Sequence, residues 1–222
     1  HEQESVNFIK TGRNWYGENF GIVTNYSFPF NFPNIDLTKN VYLKADVMGQ
    51  SAPSSTFSIT CQNGALDLTP PAVNTSCYYC DYALPANGSI SFQPNSANLT
   101  VDVNFSKSPG AISASGWLNY IELNARRYLA MTGNQLLFRD ATSYGIGNIG
   151  EFFVSNITST DKIWDVTDLT NVKLQVVNYN GTTGNFKLAT DQLREFIAFT
   201  NSGYLTPHGV GRISNQNLHN FI

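Results

Sequence analysis

The sequence predicts an all-β protein, an antiparallel β-sandwich of jelly-roll type with little helix. Three observations lead there. Apolar and polar residues alternate with period two over many short stretches, turn signals separate those stretches, and only one stretch fits a helical period. The alternation is clearest in Leu99-Thr100-Val101-Asp102-Val103-Asn104-Phe105-Ser106, which places Leu, Val, Val and Phe on one face and polar residues on the other.

The same pattern recurs at 41–47, 56–61 and 172–176. From these, Val41, Leu43, Phe57, Ile59, Val101, Val103, Leu174 and Val176 are expected to share one core. Residues 117–129 are longer and more continuously apolar, which suits a central strand covered on both faces. Further strands are predicted at 89–93, 135–139, 150–157, 162–166, 185–189 and 194–200. Between them lie Asn63-Gly64, Pro70-Pro71, Asn87-Gly88, Gly145-Ile146-Gly147 and Asn180-Gly181, all turn signals. The helical rival is 190–199, where Asp191 could cap a helix, but Phe196, Ile197 and Phe199 suit a strand equally.

The 222 residues suffice for one large β domain or two small ones. The expected organisation is a β-sandwich module over 1–205 followed by a junction over 206–222. Charged residues make up 13% of the chain, against about 25% in typical domains. The surface is therefore built from Asn, Ser and Thr, as on many exported proteins. A net charge of −3, with Arg126-Arg127 as the sole adjacent basic pair, argues against nucleic acid as a partner. No apolar run approaches the ~20 residues of a membrane span. The opening His1-Glu2-Gln3-Glu4 has neither a basic nor an apolar leader region, so any signal peptide is expected to be already removed. Seven N-x-S/T sequons, at Asn25, Asn74, Asn87, Asn98, Asn104, Asn156 and Asn180, discriminate little in so polar a chain.

Candidate chemistry is sparse. Cys77-Tyr78-Tyr79-Cys80 has the spacing of half a zinc site or of a redox pair. Zinc would need two more ligands, and His208 and His219 lack the usual short spacing. A redox pair would need a βαβ setting. Cys77 and Cys80 are therefore read as structural, a disulfide or two thiols in a long loop, with Cys61 left over. His208-Gly209 resembles the histidine of some cysteine peptidases, but their nucleophile lies downstream and every cysteine here lies upstream. Asp161, Asp165 and Asp168 could suggest calcium. Lys162 interrupts them, and strand-end capping is the better reading. Trp15, Tyr16, Tyr78 and Tyr79 are candidates for a sugar platform, or for core. No catalytic, cofactor or metal residue is assigned.

Four strings in order carry a resemblance. They are Gly12-Arg13-Asn14-Trp15-Tyr16-Gly17-Glu18-Asn19-Phe20, Gly116-Trp117-Leu118-Asn119-Tyr120-Ile121-Glu122-Leu123-Asn124, Ile163-Trp164-Asp165-Val166-Thr167-Asp168 and Asn215-Gln216-Asn217-Leu218-His219. Together they resemble the region just before the peptidase domain of PorU-type, gingipain-like sortases of the Bacteroidetes type IX secretion system. One departure is Leu169-Thr170-Asn171, where family members often read Asp-Pro and a second Pro. The resemblance implies a parent that is a cell-surface cysteine peptidase, removing C-terminal sorting signals from cargo and helping attach it to anionic lipopolysaccharide. The family's catalytic His and Cys lie beyond the asparagine-rich junction, so neither falls on a residue of this chain. It also implies association with the outer membrane, and as partners a downstream peptidase domain, secretion components and cargo proteins. Asn215, Asn217 and His219 would then make structural hydrogen bonds at a domain seam. The competing expectation is a carbohydrate-binding sandwich from another exported enzyme.

Overall fold

The computed structural model describes every residue except 9–11, 13, 112, 213 and 215–222. The described chain holds fourteen strands, and its helical content is a single 3-10 turn, Asn201–Gly203. Every strand pairing within its sheets is antiparallel. The all-β expectation therefore holds. No helix among the described residues is long and apolar enough to cross a membrane.

The strands fall into two compact units, His1–Tyr128 and Leu129–Ile222, where one module over 1–205 was expected. The first unit contains β1 (Asn25–Asn31), β2 (Val41–Ser51), β3 (Thr56–Cys61), β4 (Gly64–Leu68), β5 (Leu84–Phe92), β6 (Asn98–Ser106) and β7 (Ala114–Asn124). They form the sheets β1-β6-β3-β4 and β5-β2-β7. Apart from the β3–β4 hairpin, each connection switches sheets, as in a jelly-roll-type sandwich. Alternation supplies the core: Val41, Leu43, Ala45 and Val47 of β2 join Phe57 and Ile59 of β3 and Leu99, Val101, Val103 and Phe105 of β6 in one buried cluster.

The outer edge of β7 is paired by residues 1–2 and 17–20. Backbone bonds run from Gly17 N to Leu118 O at 2.8 Å, from Phe20 N to Gly116 O at 2.7 Å and from Leu118 N to Glu18 O at 3.1 Å. Phe8 and Tyr82 pack on Trp117 while Leu118 and Ile121 enter the core, which is why the start of the 117–129 stretch reads as covered on both faces. The strand ends at Asn124 rather than at 129 because the next residues pair elsewhere. Asp36 N bonds to Arg126 O at 2.8 Å and Tyr128 N to Asn34 O at 2.8 Å.

Asn87-Gly88 is not a turn. Both residues lie inside β5, opposite Asp46 and Ala45. A Cβ on Gly88 would lie 2.9 Å from Leu68 Cδ2 and 3.2 Å from Leu66 Cδ1. The glycine thus admits the leucines of β4 and leaves the chain extended. The other two signals of this type do turn the chain: Asn63-Gly64 at the β3–β4 hairpin, and Asn180-Gly181, with Gly181 at φ 60°.

The second unit contains β8 (Gln135–Arg139), β9 (Ile149–Ser155), β10 (Lys162–Asp165), β11 (Lys173–Leu174), β12 (Asn178–Asn180), β13 (Thr183–Ala189) and β14 (Glu195–Phe199). Its sheets are β11-β10-β14-β8 and β12-β13-β9. A separate core gathers Leu136, Phe138, Phe152, Val154, Ile163, Phe186, Phe196 and Ala198. One expectation is corrected here. The strand at 172–176 is a two-residue edge, and Leu174 and Val176 are 61% and 87% exposed, so neither belongs to any core. β14 lies within the strand predicted at 194–200, so the helical rival over 190–199 does not form. Asp191 accepts a hydrogen bond from Arg194 Nη2 at 2.9 Å instead of capping.

Candidate functional site

The three cysteines separate into two kinds. Cys77 and Cys80 are joined by a disulfide across four residues. The loop it closes displays Tyr78 and Tyr79 at 92% and 95% exposure, their rings perpendicular with centroids 5.3 Å apart. Cys61 is a free thiol at the end of β3 and is buried. Burial, and next the negative charge of Asp102, push its pKa up to about 11. A nucleophilic cysteine needs the opposite shift, because the thiolate is the reactive form. Alkylation of the folded protein at about pH 8, below the ordinary thiol value of about 8.5, should leave Cys61 unlabelled until denaturant is added. Fast labelling of the native protein would mean that the thiol is accessible and ionised.

His208 and Gly209 lie in an exposed segment without regular structure. The cysteines all belong to the first compact unit and His208 to the second. Among the described residues, no group of three or more His, Cys, Asp or Glu side chains gathers as a metal site.

Asp161, Asp165 and Asp168 each bond within their own turn. Asp161 Oδ2 accepts from Thr158 N at 2.8 Å and from Thr158 Oγ1 at 3.0 Å. Asp165 Oδ1 accepts from Thr167 N at 3.0 Å, and its other oxygen lies 3.6 Å from Arg194 Nη1. Asp168 Oδ1 accepts from Thr170 N at 2.9 Å and Thr170 Oγ1 at 2.6 Å. Asp36-Leu37-Thr38 and Asp140-Ala141-Thr142 make the same two-pronged bond. An Asp-x-Thr string lets the carboxylate close a turn on the amide and hydroxyl two residues on. That recurrence was present in the sequence and would have identified Asp165 and Asp168 as turn builders, whereas Asp161 bonds back to Thr158.

The pKa directions agree with this role. The hydroxyl of Thr170, then its backbone N–H, hold Asp168 below the ordinary 3.8, and Thr38 does the same for Asp36. For a carboxyl lowered by folding, the stabilisation is complete above the unfolded value and fades as pH falls through the folded one. Thr170→Val should therefore raise the Asp168 pKa toward 3.8, read by carboxyl-carbon NMR titration. An unchanged value would remove the hydroxyl as its cause. Asp46 moves the other way. Desolvation raises it, opposed by Asn119, whose Nδ2 donates to Asp46 Oδ1 at 3.1 Å.

The aromatic candidates also divide. Tyr16 is 2% exposed and packs on Phe8, with centroids 5.2 Å apart. Phe8 in turn meets Trp117 edge-on at 4.7 Å. Tyr16 is thus core and cannot be part of a sugar platform, whereas Trp15, Tyr78 and Tyr79 remain exposed. In the second unit, Trp164, Phe199 and Tyr204 form a small ring cluster. Phe199 and Tyr204 are 5.1 Å apart, and Trp164 and Tyr204 are 6.3 Å apart. Lys162 Nζ reaches the Tyr204 hydroxyl at 3.1 Å. Asn215, Asn217 and His219, the predicted seam residues, lie outside the described residues.

No protein-family model matches the sequence, and no curated protein does. Solved structures do. A cycloisomaltooligosaccharide glucanotransferase from Paenibacillus, complexed with cycloisomaltoheptaose, aligns at 8% identity over 79% of this chain and 40% of that one. Its TM-score of 0.26 carries no argument. The dimeric latent PorU from Porphyromonas gingivalis aligns over 99% of this chain at 19% identity, with a TM-score of 0.78. The chain spans 21% of the PorU chain it matches. In fold, this chain resembles a part of PorU.

Proposed function

We propose that this chain is a non-catalytic β module of a type IX secretion sortase, a gingipain-like cysteine peptidase at the cell surface that removes C-terminal sorting signals from cargo. Its part is to support and position the peptidase domain. The observation that carries this reading is the PorU fold over 99% of the chain, joined to four motif strings in the order the resemblance requires. The state of Cys61 supports it as well, because a buried thiol with a raised pKa is unsuited to attack a peptide carbonyl. In this reading 206–222 form the junction, where Asn215, Asn217 and His219 supply hydrogen bonds and no proton transfer. Secretion components and cargo are then partners of the parent, which stands at the outer membrane.

The coding sequence just beyond residue 222 tests this. A peptidase-length extension with a His-Gly and a later Cys is expected. A stop codon there would sink the proposal. One observation favours the carbohydrate-binding alternative, namely the two exposed rings of Tyr78 and Tyr79. Glycan binding that vanishes on replacing both with alanine, in a chain with no peptidase extension, would establish it.

A further inference from the structure

The outward face of the β11-β10-β14-β8 sheet carries an apolar row across all four strands. Leu174 pairs with Trp164, Trp164 with Ile197, and Ile197 with Leu137. Residues adjoining them in sequence, Ile163, Phe196, Ala198, Leu136 and Phe138, point into the core, so alternation turns these four away from it. Leu137 and Leu174 are 72% and 61% exposed, and Trp164 and Ile197 are half-buried.

The flanking rows differ. On one side Lys162, Phe199 and Gln135 are paired, and the chain that follows β14 folds over them. Gln135 Nε2 donates to Gly203 O at 2.6 Å, and Tyr204 packs on Phe199. On the other side Arg139 and Glu195 form an ion pair at 2.9 Å. An apolar centre between polar margins has the anatomy of an interface core.

We infer that this row is the docking surface for the domain that follows this chain in the parent protein. The inference rests on the function proposed above and names the surface through which support is given. Two observations select that occupant. The chain crosses the adjoining row at Tyr204, so a following domain is tethered by the residues after Tyr204 within reach of this face. A row of four side chains is also small for a free partner, since stable complexes bury about 800 Å² per side. A tethered domain meets the surface at an effective concentration up to the millimolar range, and for it a short apolar row suffices. Chain beyond residue 222 is what a parent of PorU length requires, because this chain spans 21% of PorU.

Hydroxyl-radical footprinting of the full-length parent tests the inference, with Tyr78 and Tyr79 as exposed references. After correction for intrinsic reactivity, Leu137 and Leu174 should oxidise roughly tenfold more slowly than the references, which corresponds to about 1.4 kcal/mol of closure. That protection should persist on dilution, and Leu137→Lys should abolish it at Leu174 and Trp164. Protection that fades on dilution would identify a second copy as the occupant and overturn the inference. So would full reactivity at Leu137 and Leu174. In either case the peptidase reading would stand, because the downstream coding sequence decides it separately.

Discussion

Replacing Phe57 with alanine should lower the free energy of unfolding by about 3–5 kcal/mol. The ring is fully buried in the first unit. It meets Phe20 edge-on with centroids 5.2 Å apart and Phe105 at 4.7 Å. Its far end fills the space that a side chain on Gly116 would need, since a Cβ there would lie 2.3 Å from Phe57 Cζ. Gly116 cannot reach into the void left by the truncation, so the cavity stays largely open and the cost falls toward the upper part of that range. Urea denaturation gives the measurement, with Thr60→Ala as the exposed comparator, expected within about 0.5 kcal/mol of the parent. A loss at Phe57 no larger than at Thr60 would mean that the two sheets do not enclose the ring.

Phe196→Ala should cost a similar 3–5 kcal/mol or so in the second unit. Phe196 is fully buried and touches three other rings, with centroids 5.1 Å from Phe138, 5.0 Å from Phe152 and 5.2 Å from Phe186. Such aromatic contacts add to what area burial contributes. Leu174→Ala and Val176→Ala, at exposed positions, should each change stability by less than about 0.5 kcal/mol. Equal costs at Phe196 and Leu174 would contradict the division of this unit into a core and an outward face.

Alternation made most strands legible, because period two directly reports a face with one burial and one solvent side. β2, β3 and β6 formed where the pattern placed them. What alternation does not report is whether anything covers the apolar face. Leu174 alternates as well as Leu99 does, yet Leu99 meets a second sheet and Leu174 meets none. The choice between one large and two small domains stayed open for the same reason, since alternation does not say which strands share a core. β1 escaped notice because Pro29 interrupts its pattern, although it is an edge strand, where proline is tolerated. At the candidate sites, the roles of Asp165 and Asp168 could be read from the Asp-x-Thr strings. The burial of Tyr16 could not, because the Phe8 and Trp117 rings around it come from separate segments.

Whether the chain supports peptide cleavage or performs it is decided most directly by one assay. Purified residues 1–222 are incubated with a peptide that carries a type IX C-terminal sorting signal, and the products are read by mass spectrometry. The expected result is intact peptide, because Cys61 is buried and held protonated and Cys77 and Cys80 are joined to each other. Cleavage that co-purifies with the folded chain and disappears in its Cys61→Ser variant would contradict the proposed function.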